Sequence, residues 1–265
     1  IRRSHLAVCA TLAGLVLAGC SAPLSPAPSD APAVLQAIQA PHTTPTTEAE
    51  EEPQWEASAR GMWVLAEGSQ RVLEDIKRVG PLLDVAEQLH VSDLFVQVYR
   101  GGRSWYPSVI ADQTPFTQAQ TPEGIDVLAR LIAQAHTRGI RIHGWVNVLS
   151  LSARSQSKIL DELGPGAILV DSRGRSLLEY PDMEVPEPDR QFYRMGTRGL
   201  YLDAAAPGVA DRLTATFVEL IETYPTLDGL HLDYIRHPGA LPFIPGSRFG
   251  VGLDFGYGQA SQKRF

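Results

Sequence analysis

From residue 60 onward the chain alternates between two hydrophobic rhythms. Short apolar runs at 61–66, 94–99, 140–148 and 227–235 have the length and β-prone content of buried strands. Between them, apolar residues recur at helical spacing. The segment 72–89 carries them at 72, 73, 76, 79, 82, 83, 86 and 89, and Pro81 is placed to start a second helical piece. A second amphipathic helix is predicted over 125–138, stopped by Gly139, and another over 207–224, opening on Pro207. The stretch 167–178 reads as a hairpin whose turn is Asp171-Ser172-Arg173-Gly174, and 181–199 reads as a polar loop. Strand, helix and strand in succession predict βαβ units and a parallel sheet, an α/β fold.

Side chains alternate across a strand, so each run has two faces. Leu94, Val96 and Val98 share one face of the second run, and Phe95, Gln97 and Tyr99 the other. In the third run Ile142, Gly144 and Val146 oppose His143, Trp145 and Asn147. In the fourth, Leu230 and Leu232 oppose His231 and Asp233. The aliphatic faces suit a layer of helices. The polar and aromatic faces grow richest toward the C-terminal strand ends, where α/β-barrel enzymes place their sites. Asp228, at the entrance of the fourth run, reads as structural, and Asp203 is placed to cap the helix over 207–224.

A carboxylate at a strand end with His, Trp, Asn and Tyr around it suits sugar chemistry. Glycoside cleavage needs carboxylates to donate a proton and to stabilise an oxocarbenium-like centre. Aromatic faces stack on pyranose rings, while amides and imidazoles satisfy hydroxyls. Other readings stand beside this one. Asp233 also fits a structural carboxylate paired with Arg236 or His237, His143 and His231 fit satisfied core histidines, and His136 fits a helix surface. No spacing matches a zinc site, so no metal and no other cofactor is expected. Gly101-Gly102 follows the second run without the spacing of a phosphate loop.

Composition adds an address and excludes some partners. The 265 residues are 44% hydrophobic and 20% charged, as in globular proteins, and the net charge of −7 argues against nucleic acid as a partner. Arg2 and Arg3 precede an apolar run over 6–19 that is shorter than the about 20 residues of a membrane-spanning helix. It reads as a signal peptide. Leu17-Ala18-Gly19-Cys20 resembles a bacterial lipobox, so Cys20 is the expected lipidation site and its acyl chains the expected link to the membrane of a bacterial cell envelope. Cleavage there removes two arginines and no acid, which moves the net charge from −7 to −9. The two cysteines, Cys9 and Cys20, leave no disulfide for the main body. Residues 20–59 are proline-rich and acidic and read as an extended spacer. The expected organisation is therefore a signal peptide over 1–19, a linker over 20–59 and a folded domain over 60–265.

The strand runs carry a family resemblance. Arg60-Gly61-Met62-Trp63, Phe95-Val96-Gln97-Val98-Tyr99-Arg100 and Trp105-Tyr106-Pro107-Ser108 resemble the opening of the glycosyl-hydrolase-like family ten TIM barrels. So do Ala135-His136-Thr137-Arg138-Gly139-Ile140-Arg141-Ile142-His143-Gly144-Trp145-Val146-Asn147 and Asp228-Gly229-Leu230-His231-Leu232-Asp233-Tyr234-Ile235-Arg236-His237-Pro238. Leu169-Val170-Asp171-Ser172-Arg173-Gly174, Leu200-Tyr201-Leu202-Asp203 and Asp254-Phe255-Gly256-Tyr257-Gly258 fit in order. The resemblance implies a bacterial envelope glycoside hydrolase acting on peptidoglycan glycan strands or another envelope polysaccharide. The alternative is a non-catalytic glycan-binding lipoprotein. Carried over by position, Asp233 is the catalytic carboxylate. Arg60, Gln97, Arg100, Tyr106, His143, Trp145, Asn147, His231, Tyr234 and Arg236 line the sugar cleft.

An eight-stranded barrel takes about 250 residues. Residues 60–265 hold four strand runs and a long insertion, which leads to the expectation of the N-terminal half of a (β/α)8 barrel. On that expectation the second catalytic carboxylate lies beyond residue 265 and this chain alone is inactive. Neither the linkage cut nor the oligomeric state follows from the sequence.

Overall fold

The structure, a computed structural model, describes residues 59–119, 124–153, 156–243 and 252–264. The expected signal peptide, Cys20 and the linker as far as residue 58 lie outside the described residues. Along the chain run β1 (Gly61–Val64), α1 (Val79–Gln88), β2 (Asp93–Arg100), β3 (Arg103–Ser104), α2 (Thr114–Ala119), α3 (Val127–Thr137), β4 (Arg141–Asn147), β5 (Ser150–Ser152), α4 (Lys158–Leu163), β6 (Tyr193–Met195), β7 (Leu200–Tyr201), α5 (Val209–Thr223), β8 (Gly229–Asp233), β9 (Ala240–Pro242) and α6 (Gln259–Gln262).

The four expected strands form one sheet in the order β1-β2-β4-β8, with every neighbouring pair parallel. β3 folds back antiparallel on the end of β2. The fold is thus mixed α/β with a parallel sheet. Its aliphatic face, Leu94, Val96, Val98, Ile142 and Val146, is buried against Leu83 and Ala86 of α1, Leu128, Leu131, Ile132 and Ala135 of α3 and Leu220 of α5. These helices form where apolar residues recur every three to four positions, so one stripe reaches the sheet. Asp126 caps α3 by accepting from the Ala129 N–H at 3.0 Å. Gly139, with φ of 70°, ends it in the left-handed conformation that costs glycine least. Pro81 falls in the first turn of α1, where its missing N–H has no partner to lose.

Between β4 and α5 the chain builds a second cluster on Leu151, Ile159, Leu169, Tyr201 and Leu202, joined by Leu253 and Phe255. Here the chain departs from the expected elements. The hairpin exists as the Val170–Ser176 bridge, but its second arm turns at once into a three-ten turn over Leu177–Glu179. The expected loop at 181–199 contains β6, which pairs antiparallel with β9. Too few residues alternate there for a strand to announce itself. Asp203 does not cap α5, whose N-cap is Gly208. Its carboxylate instead accepts from the Ala205 N–H and from Ser261 Oγ at 2.8 and 2.9 Å.

Candidate active site

Parallel strands bring their C-terminal ends to one side, and register decides which side chains stand level. Trp63, Phe95 and His143 form one row, with His143 beside Gly229. Gln97, Trp145 and His231 form the next row. Asn147 and Asp233 stand level at the top. Two residues per row makes each step about 7 Å.

The upper two rows are tied together. The Trp145 indole N–H donates to Asp233 Oδ2 at 3.1 Å, and the Tyr234 N–H donates to Asp233 Oδ1 at 2.7 Å. Both oxygens of the carboxylate are thereby oriented. Tyr234 reaches this position with φ of 56°, a conformation disfavoured for an aromatic residue and the sort of strain held at functional sites. Gln97 is buried, donates from Nε2 to Asn147 Oδ1 at 3.3 Å and accepts from the Ala66 N–H at 3.4 Å. His231 Nε2 accepts a long bond from the Trp63 indole at 3.4 Å, and its ring lies against Phe95 and Trp145. Arg236 does not pair with Asp233. It lies over the Tyr234 ring at 5.0 Å and donates to Thr197 Oγ1 at 3.3 Å. Arg100 bonds Glu67 at 3.3 Å just past β1.

Of the residues expected in the cleft, the structure gathers Gln97, Trp145, Asn147, His231, Asp233 and Tyr234, with Arg100 at the end of β2 and Arg236 on the loop after β8 beside them. Three lie elsewhere. Arg60 is at the opposite end of the sheet, where its guanidinium donates to Leu89 O and its backbone meets Ser92 and Asp93. His143 shares a face with Asn147 but stands two rows lower, bonded to Asp93 Oδ1 at 2.8 Å and stacked on Phe95. Tyr106 is fully buried beneath α5, where its hydroxyl donates to Thr216 O. Burial raises the Tyr106 phenol well above its ordinary range and lifts Tyr99 to about 12, so neither titrates near neutrality. Tyr99 itself leaves the polar face, because a register shift after Gln97 turns it against Phe217.

Sequence reasoning missed Glu67. It is an acid on the same end of the sheet as Asp233, three residues beyond β1, and both Arg100 and Arg103 bond it. The run Leu65-Ala66-Glu67 placed an acid just after a strand, and that signal went unused. Below the site, Asp228 has the structural role expected of it. Burial pushes its carboxyl up, but the bonds from His136 and the Ile142 amide outweigh this and hold it below the usual range. Among the described residues no three His, Cys, Asp or Glu side chains converge as a metal group would require.

Residues 58–249 match the family described as glycosyl hydrolase-like 10. The chain belongs to this family. Glycosyl hydrolase DigH of Escherichia coli is 27% identical over 163 residues, covering 60% of this chain and 34% of DigH, and DigH of Shigella flexneri gives the same figures. The chain thus spans about a third of the length of the curated relatives it matches. A hypothetical protein from Ruminiclostridium thermocellum is similar at 16% identity and a TM-score of 0.43, covering 72% of this chain and 84% of that one. An α-galactosidase from Lactobacillus brevis is similar at 16% identity and 0.38, covering 65% and 20%. Membership in glycosyl hydrolase-like 10 supports a function related to glycoside hydrolysis.

Proposed function

We propose that this glycosyl hydrolase-like 10 chain carries part of the active site of an envelope glycoside hydrolase acting on peptidoglycan glycan strands or another envelope polysaccharide. Asp233 is the catalytic carboxylate, and its orientation by Trp145 and Tyr234 is the observation that carries the reading. A carboxylate accepting two such bonds is fixed toward the open end of the strands. The flanking indole and imidazole offer a stacking face and hydroxyl partners. The four-stranded sheet is read as half of a (β/α)8 barrel, consistent with edge strands β1 and β8 that each pair on one side among the described residues. Lipidation at Cys20 belongs to the same proposal and would hold the domain at the envelope.

A second reading has its own support. Hydrolysis takes two carboxylates, and Glu67 is tied by two arginines. A chain in that state binds glycan without cleaving it, and that is the behaviour we expect of these residues alone. The deciding experiment is Asp233→Asn in a protein of the relatives' full length that carries this chain. Release of reducing ends from purified glycan strands should fall by about a hundredfold or more, with glycan retention intact. Undiminished release would remove Asp233 from the reaction. Absence of release from the unaltered protein, with retention kept, would favour the binding reading.

A further inference from the structure

A second concave site lies on the excursion that follows β8. β6 and β9 pair through Tyr193–Pro242, Arg194–Leu241 and Met195–Ala240, and the Phe243 N–H extends the ladder to Phe192 O at 3.0 Å. Beside this ribbon opens a hollow of about 440 Å³ lined by Glu184, Arg190, Tyr193, Arg194, Arg198 and Phe243. Three arginines therefore line one hollow of a chain whose net charge is −7. Elsewhere Arg100, Arg138, Arg141, Arg175 and Arg212 each hold a carboxylate. In the hollow, Glu184 pairs with Arg198. Among the described residues no carboxylate pairs with Arg190 or Arg194.

Beside these two charges stands Phe243, 53% exposed, together with the half-buried Tyr193. A planar guanidinium takes a carboxylate through two parallel N–H bonds, and an aromatic face takes the apolar side of a sugar ring. The two chemistries side by side fit a pyranose that carries an acid. Position points the same way. Thr197, between Arg194 and Arg198, accepts from Arg236, whose guanidinium covers the ring of the residue after Asp233. Backbone bonds from Gly196 to Gly239 and from Thr197 to Pro238 fasten the two loops together.

We propose that this hollow is a subsite for glycans whose sugars bear carboxylates, with Arg190 and Arg194 reading the acid and Phe243 the ring. The proposal rests on the reading of the Asp233 cleft as a glycan site. It adds that the preferred glycan is anionic.

Tetragalacturonate and its fully methyl-esterified form share one sugar backbone and differ in charge. Titrated calorimetrically into the full chain, the acid should bind about tenfold more tightly than the ester, and the advantage should shrink with added salt. Arg190→Gln combined with Arg194→Gln should abolish the advantage and leave ester affinity unchanged. Arg194→Lys, which keeps charge but not the planar fork, should keep only part of it. Tetraglutamate should compete poorly, because it offers carboxylates without sugar rings. Equal affinity for acid and ester, an advantage that survives the double variant, or tetraglutamate competing as well as the glycan would each overturn the subsite and leave the cleft reading standing. Binding of neither glycan would overturn the subsite, while retention of purified glycan strands by the same chain tests the cleft reading separately.

Discussion

Asp93 shows how one side chain sets the lower boundary of the site. It opens β2, takes the Arg141 guanidinium at 2.7 Å on each oxygen, and also bonds Ser92 and His143. The bond from Arg141 foremost holds its carboxyl well below the usual carboxylate range, against the upward push of burial. A depressed folded pKa means that the unfolded chain binds more protons, so stability rises with pH across that window. The contribution is whole above the ordinary value of about 3.9 and fades as pH falls from there toward the depressed native value. Asp93→Asn should therefore cost about 1–3 kcal/mol at pH 7. It should also flatten the loss of stability between pH 5 and 2, as read by urea denaturation at stepped pH. If variant and parent lose stability in parallel through that range, Asp93 is not the group responsible.

At the scale of elements, the close fit of β4 to its neighbours keeps Trp145 and Asn147 at the right height. Gly144, just before Trp145, faces the helices, and a Cβ there would lie 3.1 Å from Leu230 Cδ2, 3.4 Å from Val98 Cγ2 and 3.5 Å from Leu220 Cδ2. Strands β2, β4 and β8 and helix α5 thus converge on one hydrogen atom. Gly144→Val adds three carbons where there is no room and should destabilise by about 1–3 kcal/mol. It should also displace β8, so that glycan affinity falls along with the denaturation midpoint. A variant with unchanged midpoint would show that the helix layer yields more easily than this packing implies.

The whole molecule combines a parallel sheet with a lobe built from the β4–α5 connection, and the last described residues close that lobe. Asp203, almost wholly buried, accepts from Ser261 Oγ. Val170 O takes the N–H groups of Gly256 and Tyr257 at 3.0 Å. Ser261→Ala would leave a buried carboxylate with one donor fewer, a loss of about 1–3 kcal/mol. Hydrogen exchange at the amides of Gly256 and Tyr257 should quicken, while exchange in β2 and β4 stays unchanged. Equal quickening in the sheet would mean that lobe and sheet open as one unit. The same scale accounts for the exposed apolar residues: Trp63 and Leu232 are about half exposed, on the two strands that end the sheet.

Alternation and helical spacing by themselves determined the four strands, the three long helices, their order and the face each strand turns to the helices, although residues 72–78 form two three-ten turns and the first of those helices begins only at Val79. A period of two residues is a local property that the chain carries wherever it goes. Height along the sheet is not local. Only strand register showed that His143 stands about 13 Å below Asn147 on the same face, that Arg60 belongs to the far end, and that Tyr99 leaves the polar face at a bulge. The resemblance placed Tyr106 in the cleft, but its ring is buried where its hydroxyl meets α5. Glu67, β6 and the arginine hollow depend on residues far apart in sequence being brought side by side. Tertiary packing alone decides such meetings, because no periodicity encodes them.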